Sequence, residues 1–303
     1  ISYFNWVAAG KRLAAAEQIL KVAKDRDAGL GEQLKEGAIA RIVKVDNRRL
    51  VVSRQIAVFK AKRSFEAASI ALSLFHRDLK TGATIMPNRD QLPDGFPPLL
   101  LFDELTLVND RGRAIFRRPE VRQIAILQAK GKVDQRLALN NLKPNLDLSV
   151  ELNQALGGDL PKDIENTEIT ALLSFSVPIG QNEAKGRIEA VKAHLAQLVK
   201  EKEFARESII AAATDSFSAL NAAYLSLGQT SLNVELSEEL EAAENEKFTN
   251  GASDLLALQI REQTTFDARI LEVDALNSYF RALADYQAAV AKDAPTHLTP
   301  VNR

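Results

Sequence analysis

The chain has 303 residues and no cysteine, which excludes disulfides, thiol catalysis and cysteine-ligated metal sites. Its formal net charge is -1 and its pI is about 6.4, so no bulk charge attracts nucleic acid. Aromatic residues make up only 6%, which is low for a compact core, whereas alanine, leucine and charged residues are abundant, as is typical of long helices. No apolar run approaches the roughly 18 residues that a membrane-spanning helix requires.

Residues 1–80 are predicted to form a helical hairpin that reverses near Gly37. Helical patterning covers residues 1–36 and 38–80, and a glycine between them readily adopts the left-handed backbone of a helix end. Two interpretations of the basic outer face of the returning arm stay open: a solvated surface, or a docking surface for an acidic partner helix. The basic residues of this arm are Arg41, Lys44, Arg48, Arg49, Arg54, Lys60, Lys62 and Arg63.

After the first hairpin, the sequence predicts an irregular connector and then a helix. Residues 81–117 contain a dense group of prolines between residues 87 and 98, which predicts an irregular connector. A helix is predicted over residues 118–143, because Arg118-Pro119-Glu120 places a proline and an acid in a first helical turn.

Residues 144–180 are predicted to form a β-hairpin with one apolar face. Two runs alternate apolar and polar residues with a period of two, on either side of a polar loop around residues 157–162. An isolated hairpin of this kind is marginal in water, whereas strands of ~9–11 residues with this alternation suit a membrane barrel. The predicted strand residues of the apolar face are Leu146, Leu148, Val150, Leu152, Leu173, Phe175 and Val177.

Residues 181–292 are predicted to form a second helical hairpin that reverses near Gly251, and residues 293–303 a C-terminal tail. Gly37 and Gly251 lie 214 positions apart, and the same offset aligns Phe65 with Tyr279 and several alanines, which indicates an internal repeat. A predicted helix and two predicted strands, over residues 118–180, precede the second copy, and the first copy has no such segment before it. Because residue 1 also lies in the middle of a predicted helix, we expect the sequence to be a fragment without its first helix–strand pair.

Four motifs, in their order along this duplicated plan, resemble the TolC-like outer-membrane efflux protein family over nearly the whole chain. They are Arg118-Pro119-Glu120 followed by Pro144 and the strand from Asn145, the strand end Ser176-Val177-Pro178-Ile179, the hairpin tip from Gly251 to Glu262, and Asp285-Tyr286 in the last helix. The resemblance implies a mainly α fold: two long antiparallel, coiled-coil-like α-hairpins of a periplasmic tunnel, and one β-hairpin of an outer-membrane barrel.

The resemblance also implies a function and a location. Members are trimeric channels in the outer membrane of Gram-negative bacteria, with most of each chain in the periplasm. They export substrates passively, in contact with outer-membrane lipid, and work with a periplasmic adaptor protein and an inner-membrane pump. No enzyme activity, cofactor or nucleic acid is implied.

The tips of the two hairpins are the candidate gate. Family members often have an aspartate six or nine residues after the tip glycine; the first tip has Asp46 nine residues on, but the second has Ala257 and Ile260 at these places. A simpler alternative is that the tip residues only solvate and cap the turns. The gate candidates are Gly37, Arg41, Lys44, Asp46, Gly251, Ser253, Asp254, Arg261 and Glu262.

Three other classes of protein fit the sequence less well. A periplasmic adaptor would carry β-domains on both flanks of a single α-hairpin, and a coiled-coil scaffold without channel activity would not need the alternating strands. An enzyme is disfavoured, because His76, His194 and His297 are scattered and no glycine-rich phosphate loop follows a strand.

Overall fold

A computed structural model describes residues 1–154 and 167–292. The predicted tail over residues 293–303 and the predicted loop around residues 157–162 lie outside the described residues. The described residues divide into two compact units, one formed by Ile1–Ala114 with residues 211–292, the other by Ile115–Ile210. The described elements are α1 (Ser2–Lys35), α2 (Arg41–Ser73), α3 (Glu104–Arg117), α4 (Pro119–Asn140), β1 (Asn145–Gln154), β2 (Thr167–Ser176), α5 (Asn182–Thr249) and α6 (Leu255–Ala289).

The structure confirms the predicted fold class, with two α-hairpins and a two-stranded antiparallel sheet. Gly37 turns the first hairpin at φ 73° and Gly251 turns the second at φ 74°, a conformation that L side chains rarely adopt. At the first tip, Gly37 N donates to Leu34 O at 3.1 Å and Ala38 N donates to Gln33 O at 2.8 Å. The four equivalent residues of the second tip repeat both bonds, at 3.1 and 2.8 Å. Both hairpins therefore reverse through the same hydrogen-bonded turn.

In the first unit, α1 and α6 are inner helices and α2 and α5 are outer helices. α1 contacts both α2 and α6, and buries alanines and Gly10, whose small size lets neighbouring helices approach closely. α5 contacts α6, where the buried Thr265 hydroxyl donates to Ser237 O at 3.0 Å. In the seam between α1 and α2, the indole of Trp6 stacks near Phe65 and donates to Ser69 at 3.0 Å.

The connector after α2 packs on the end of the hairpins opposite their tips. Leu100 N donates to the Tyr279 hydroxyl at 2.9 Å, and this hydroxyl donates back to Leu100 O at 2.6 Å. The ring of Phe280 stacks on Phe4 and Phe96, with centroids 4.7 and 5.4 Å away. These contacts hold the proline-rich segment against α1 and α6.

α2 ends at Ser73, before the predicted end near residue 80. Helix does not continue to residue 80 because residues 78–81 form a tight turn, in which Asp78 Oδ1 accepts from the backbone N of Lys80 at 2.9 Å and of Thr81 at 2.7 Å. A short side chain that bonds to nearby backbone offers an alternative to helix. The Thr81 bonds also lower the pKa of Asp78.

The connector was predicted to be irregular up to residue 117, and this is wrong for its last part, which forms α3. Asp103 precedes the helix, and its Oδ1 accepts from Thr106 N at 2.8 Å, as an N-cap residue does. The prolines end at Pro98, so no proline lies within α3. A capping residue such as Asp103, placed after the last proline, is the sequence feature that indicates the start of α3.

In the second unit, β1 and β2 pair in antiparallel register, with Leu146 opposite Phe175 and Leu148 opposite Leu173. β2 ends at Ser176, so Val177 lies one residue beyond the strand to which it was assigned. The position opposite Val177 would be Pro144, which has no N–H to donate to a strand ladder.

Candidate functional site

The second tip contains a capped turn. Asp254 is the N-cap of α6, and its side chain accepts from Ala257 N at 2.8 Å. The Ser253 hydroxyl bonds to the carboxylate of Glu244 at the end of α5. Within one chain, both polar side chains therefore stabilise the turn, as the capping alternative expects.

The first tip places its candidate residues on or near the surface. Asp46 accepts from Arg49 at 3.3 Å on the exposed side of α2, while Arg41 is exposed. Lys44 is half-buried, and its ammonium lies close to Gly31 of α1. On the second hairpin, Arg261 is also half-buried. These side chains are not gathered into one cluster within the chain.

Glu262 is placed differently from the other candidates, because it lies in a buried charge cluster with Arg26 and Arg54. Arg26 Nη1 and Arg54 Nη2 each donate to Glu262 Oε2 at 3.1 Å, and Arg26 Nη2 donates to Glu262 Oε1. Side-chain exposure is 6% for Glu262, 4% for Arg54 and 15% for Arg26. Arg54 Nη1 also donates to Ile19 O at 3.0 Å. The cluster joins α1 and α2 of the first hairpin to α6 of the second.

Burial governs the electrostatics of this buried charge cluster. Desolvation lowers the pKa of Arg54, whereas its hydrogen bond to Glu262 and the nearby charge of Glu241 favour the charged form. Among the described residues, Arg54 Nε is a buried donor without a hydrogen-bond partner. A guanidinium in this setting depends strongly on its one carboxylate partner.

Arg54 was predicted to lie on the basic outer face of its arm, and this is wrong. α2 buries Asn47, Arg54, Val58 and Phe65, whose spacings of seven and four residues form one helical stripe. Arg54 lies on the same side of the helix as this stripe, so it is buried although it is charged. The sequence reasoning missed Arg26 altogether, because its partner lies 236 positions away. Among the described residues, no group of three or more His, Cys, Asp or Glu side chains is arranged to hold a metal.

Within the described residues, the sheet of the second unit has one apolar face that stays exposed. Every residue of both strands is exposed. The apolar positions face each other directly across the two strands, so they share one side of the sheet. Their exposures are Leu146 63%, Leu148 68%, Val150 64%, Leu152 66%, Ile169 70%, Leu173 65% and Phe175 68%.

No helix in the described ranges combines the length and the apolar character needed to pass through a membrane.

Comparison with known proteins gives structural matches only. No family model matches the chain, and no curated protein matches it significantly. A Pseudomonas aeruginosa membrane protein superposes with a TM-score of 0.76 and 17% identity, over 95% of this chain and 64% of its own. The CmeC outer-membrane channel of Campylobacter jejuni gives 0.74 and 14%, over 98% and 62%.

The open state of the MtrE outer-membrane channel of Neisseria gonorrhoeae gives a TM-score of 0.72 and 19% identity, over 95% of this chain and 64% of that channel. The chain thus spans less than two thirds of the length of each of these three proteins. Over the part that it spans, the chain has the fold of the TolC-like outer-membrane channels.

Proposed function

We propose that the chain belongs to a subunit of an outer-membrane channel that exports substrates passively as part of a tripartite efflux or secretion system. The observation that carries the proposal is the exposed apolar face of the sheet, on a fold shared with outer-membrane channels. Seven large apolar side chains, each at least 63% exposed, suit lipid far better than water. The helical hairpins then form the wall of a periplasmic conduit in a Gram-negative cell.

The partners follow from this role. The full-length protein is a homotrimer, as the family resemblance implies, and the two strands of this chain need further strands to close a membrane barrel. A periplasmic adaptor protein and an inner-membrane pump supply cargo and the energy for transport. The chain itself performs no chemistry, so it acts as a passive channel and not as an enzyme.

Opening of the tips is the conformational step of this function. Two tip arrangements differ by the hydrogen bonds and ion pairs of the tip residues, and the adaptor binds the open one more tightly. Arg41, Lys44, Asp46 and Arg261 are the gate candidates that stay available for contacts outside the chain. Removing Asp46 in the full-length trimer should alter single-channel conductance or cation preference; unchanged currents would remove it from the gate.

Lipid contact is tested by two matched charge substitutions. Val150→Arg places a cation on the apolar face, and Ser149→Arg places the same cation one residue away on the opposite face. On the lipid side, an arginine near the bilayer midplane costs about 2–4 kcal/mol. We expect Val150→Arg to reduce flotation of the protein with lipid vesicles strongly, and Ser149→Arg to reduce it little. Equal flotation of both variants would overturn the proposal.

A further inference from the structure

A groove of about 540 Å³ lies between the first hairpin and the start of the connector. α1 and α2 form two of its walls, and residues 86–89 of the connector form the third. The volume falls within the range of about 300–1,000 Å³ that is usual for small-molecule sites. Neither the exposed sheet nor the hairpin tips contribute a residue to it. We call this cavity the connector groove.

The floor of the connector groove is apolar and packed. Leu13 is 3% exposed and Phe65 is 9% exposed, and both belong to the core between α1 and α2. The buried Ser69, which also lines the groove, accepts the hydrogen bond of the Trp6 indole at 3.0 Å. Met86 lines the groove from the connector and is 56% exposed. Because the floor is part of the core, it needs little ordering when a ligand binds, which lowers the cost of binding.

A pair of opposite charges holds the connector wall in place. Arg89 Nη1 donates to Glu17 Oε1 at 3.0 Å, and its Nη2 donates to Glu17 Oε2, so the connector is joined to α1 by a two-pronged bond. Beside it, the backbone N of Asn88 donates to Gln91 Oε1 at 2.9 Å. The two charges of the pair satisfy each other, so they fix the shape of the groove and leave recognition of a ligand to other residues.

Two further charges at the rim have no such partner. Lys62 and Glu66 are exposed and line the groove one helical turn apart on α2. The ion pairs that α2 forms with other described residues are those of Arg49 and Arg54, and include neither. A lysine four positions before a glutamate is also the weaker order for a pair between the two. The groove therefore offers a ligand one cation and one anion, whose Cβ atoms are about 5–6 Å apart.

We infer that the connector groove binds a short apolar peptide with free ends, its ammonium at Glu66 and its carboxylate at Lys62. The rim carries two positive and two negative side chains, which favours a ligand without net charge over an ion of either sign. The charged ends of an extended dipeptide are about 6 Å apart, whereas those of a single amino acid are only about 2.5 Å apart. The span of the dipeptide matches the two rim charges, and its side chains then contact the apolar floor. The inference does not depend on channel activity.

The single methionine of the chain reports on the groove directly. In a chain labelled with ¹³C-methyl methionine, the resonance of Met86 is the one that Met86→Leu removes. The probe is leucyl-phenylalanine, titrated into the whole chain in detergent micelles. We expect a saturable shift of the Met86 resonance.

A blocked peptide tests the role of the charged ends. N-acetyl-leucyl-phenylalanine amide has the same side chains but neither charge, so it should bind about tenfold more weakly. Partition of peptide into the detergent would favour the uncharged peptide, and this opposite order separates it from binding in the groove.

Substitutions at the rim test the assigned residues. Lys62→Gln with Glu66→Gln should weaken binding of the free peptide about tenfold and remove the preference for free ends. Lys60→Gln is the matched control, because Lys60 is exposed on α2 but does not line the groove, and it should leave binding unchanged. Circular dichroism confirms that each variant stays helical. An unshifted Met86 resonance, equal binding of the two peptides, or unchanged binding by the double variant would each overturn the inference.

Discussion

Replacing Glu262 with alanine removes the carboxylate that holds two arginines in the buried charge cluster. Arg54 is 4% exposed and would keep its bond to Ile19 O but lose its charged partner. Arg26, at 15% exposure, would lose both of its bonds to Glu262. Two like charges would then face each other in a site that excludes most water.

The expected loss is large because an uncompensated charge remains buried. Removing one partner of a buried pair lowers the free energy of unfolding by about 3–5 kcal/mol. We place Glu262→Ala near the lower end, about 3 kcal/mol, because Arg54 keeps one backbone acceptor. The triple variant Arg26→Met, Arg54→Met and Glu262→Leu removes all three charges together. Its free energy of unfolding should be unchanged or higher by about 1–4 kcal/mol.

The assay is equilibrium denaturant unfolding followed by tryptophan fluorescence. Trp6 is the single tryptophan, is 2% exposed and lies in the same compact unit as the buried charge cluster. Glu238→Ala is the matched control, because Glu238 pairs with Arg269 between α5 and α6 at exposures of 47% and 39%. Such a surface pair contributes only about 0–1 kcal/mol.

Two results would refute this reasoning. If Glu262→Ala shifted the unfolding free energy no more than Glu238→Ala, the cluster would not be an isolated buried charge site. If the triple apolar variant were as unstable as Glu262→Ala, packing geometry and not charge would explain the loss.

Two further predictions concern the turns and the tyrosines. Gly37→Ala and Gly251→Ala should each lower the free energy of unfolding by about 1–2 kcal/mol, because both positions have a positive φ. Gly29→Ala lies inside α1 with open space around it, and should raise this free energy by about 0.5–1 kcal/mol. Thermal melts with the same shift for all three variants would contradict this prediction. Burial raises the pKa of Tyr286 above its usual 10.0, so its contribution to stability is complete below pH 10 and is lost as the pH rises further. Tyr286→Phe, which removes the 2.8 Å bond to Asp110, should cost about 1 kcal/mol at pH 8 and flatten this alkaline decline in denaturation curves; an unchanged slope would exclude Tyr286 as its source.

The main architecture could be predicted from the sequence because its signals are local. A glycine between two helical runs predicts a reversal, and both glycines have the positive φ that the reversal requires. Alternation with a period of two predicts strands, and the apolar positions then fall opposite one another in the sheet. These features depend on a few neighbouring residues, so a single sequence contains them.

The errors arose where a side chain or a distant partner decides the outcome. After α2, Asp78 accepts hydrogen bonds from the backbone of the residues that follow it, and these residues form a turn where helix was predicted. Asp103 caps a helix in a segment that was predicted to be irregular because of its prolines. Arg54 and Glu262 are 208 positions apart, so no local pattern reports their contact. Glu262 lies close to the tip in the sequence, and the structure places its carboxylate in the interior, where it is 6% exposed.

The proline-rich connector makes the two ends of the hairpins mechanically unequal. At one end, Phe280 lies between Phe4 and Phe96, and the methyl groups of Leu92 lie over Gly10, where even a Cβ would be only 2.5 Å from them. Sliding at this end would disrupt close aromatic and aliphatic contacts. We therefore expect any displacement of the hairpins to be smallest near Phe280 and to grow towards the glycines of the tips.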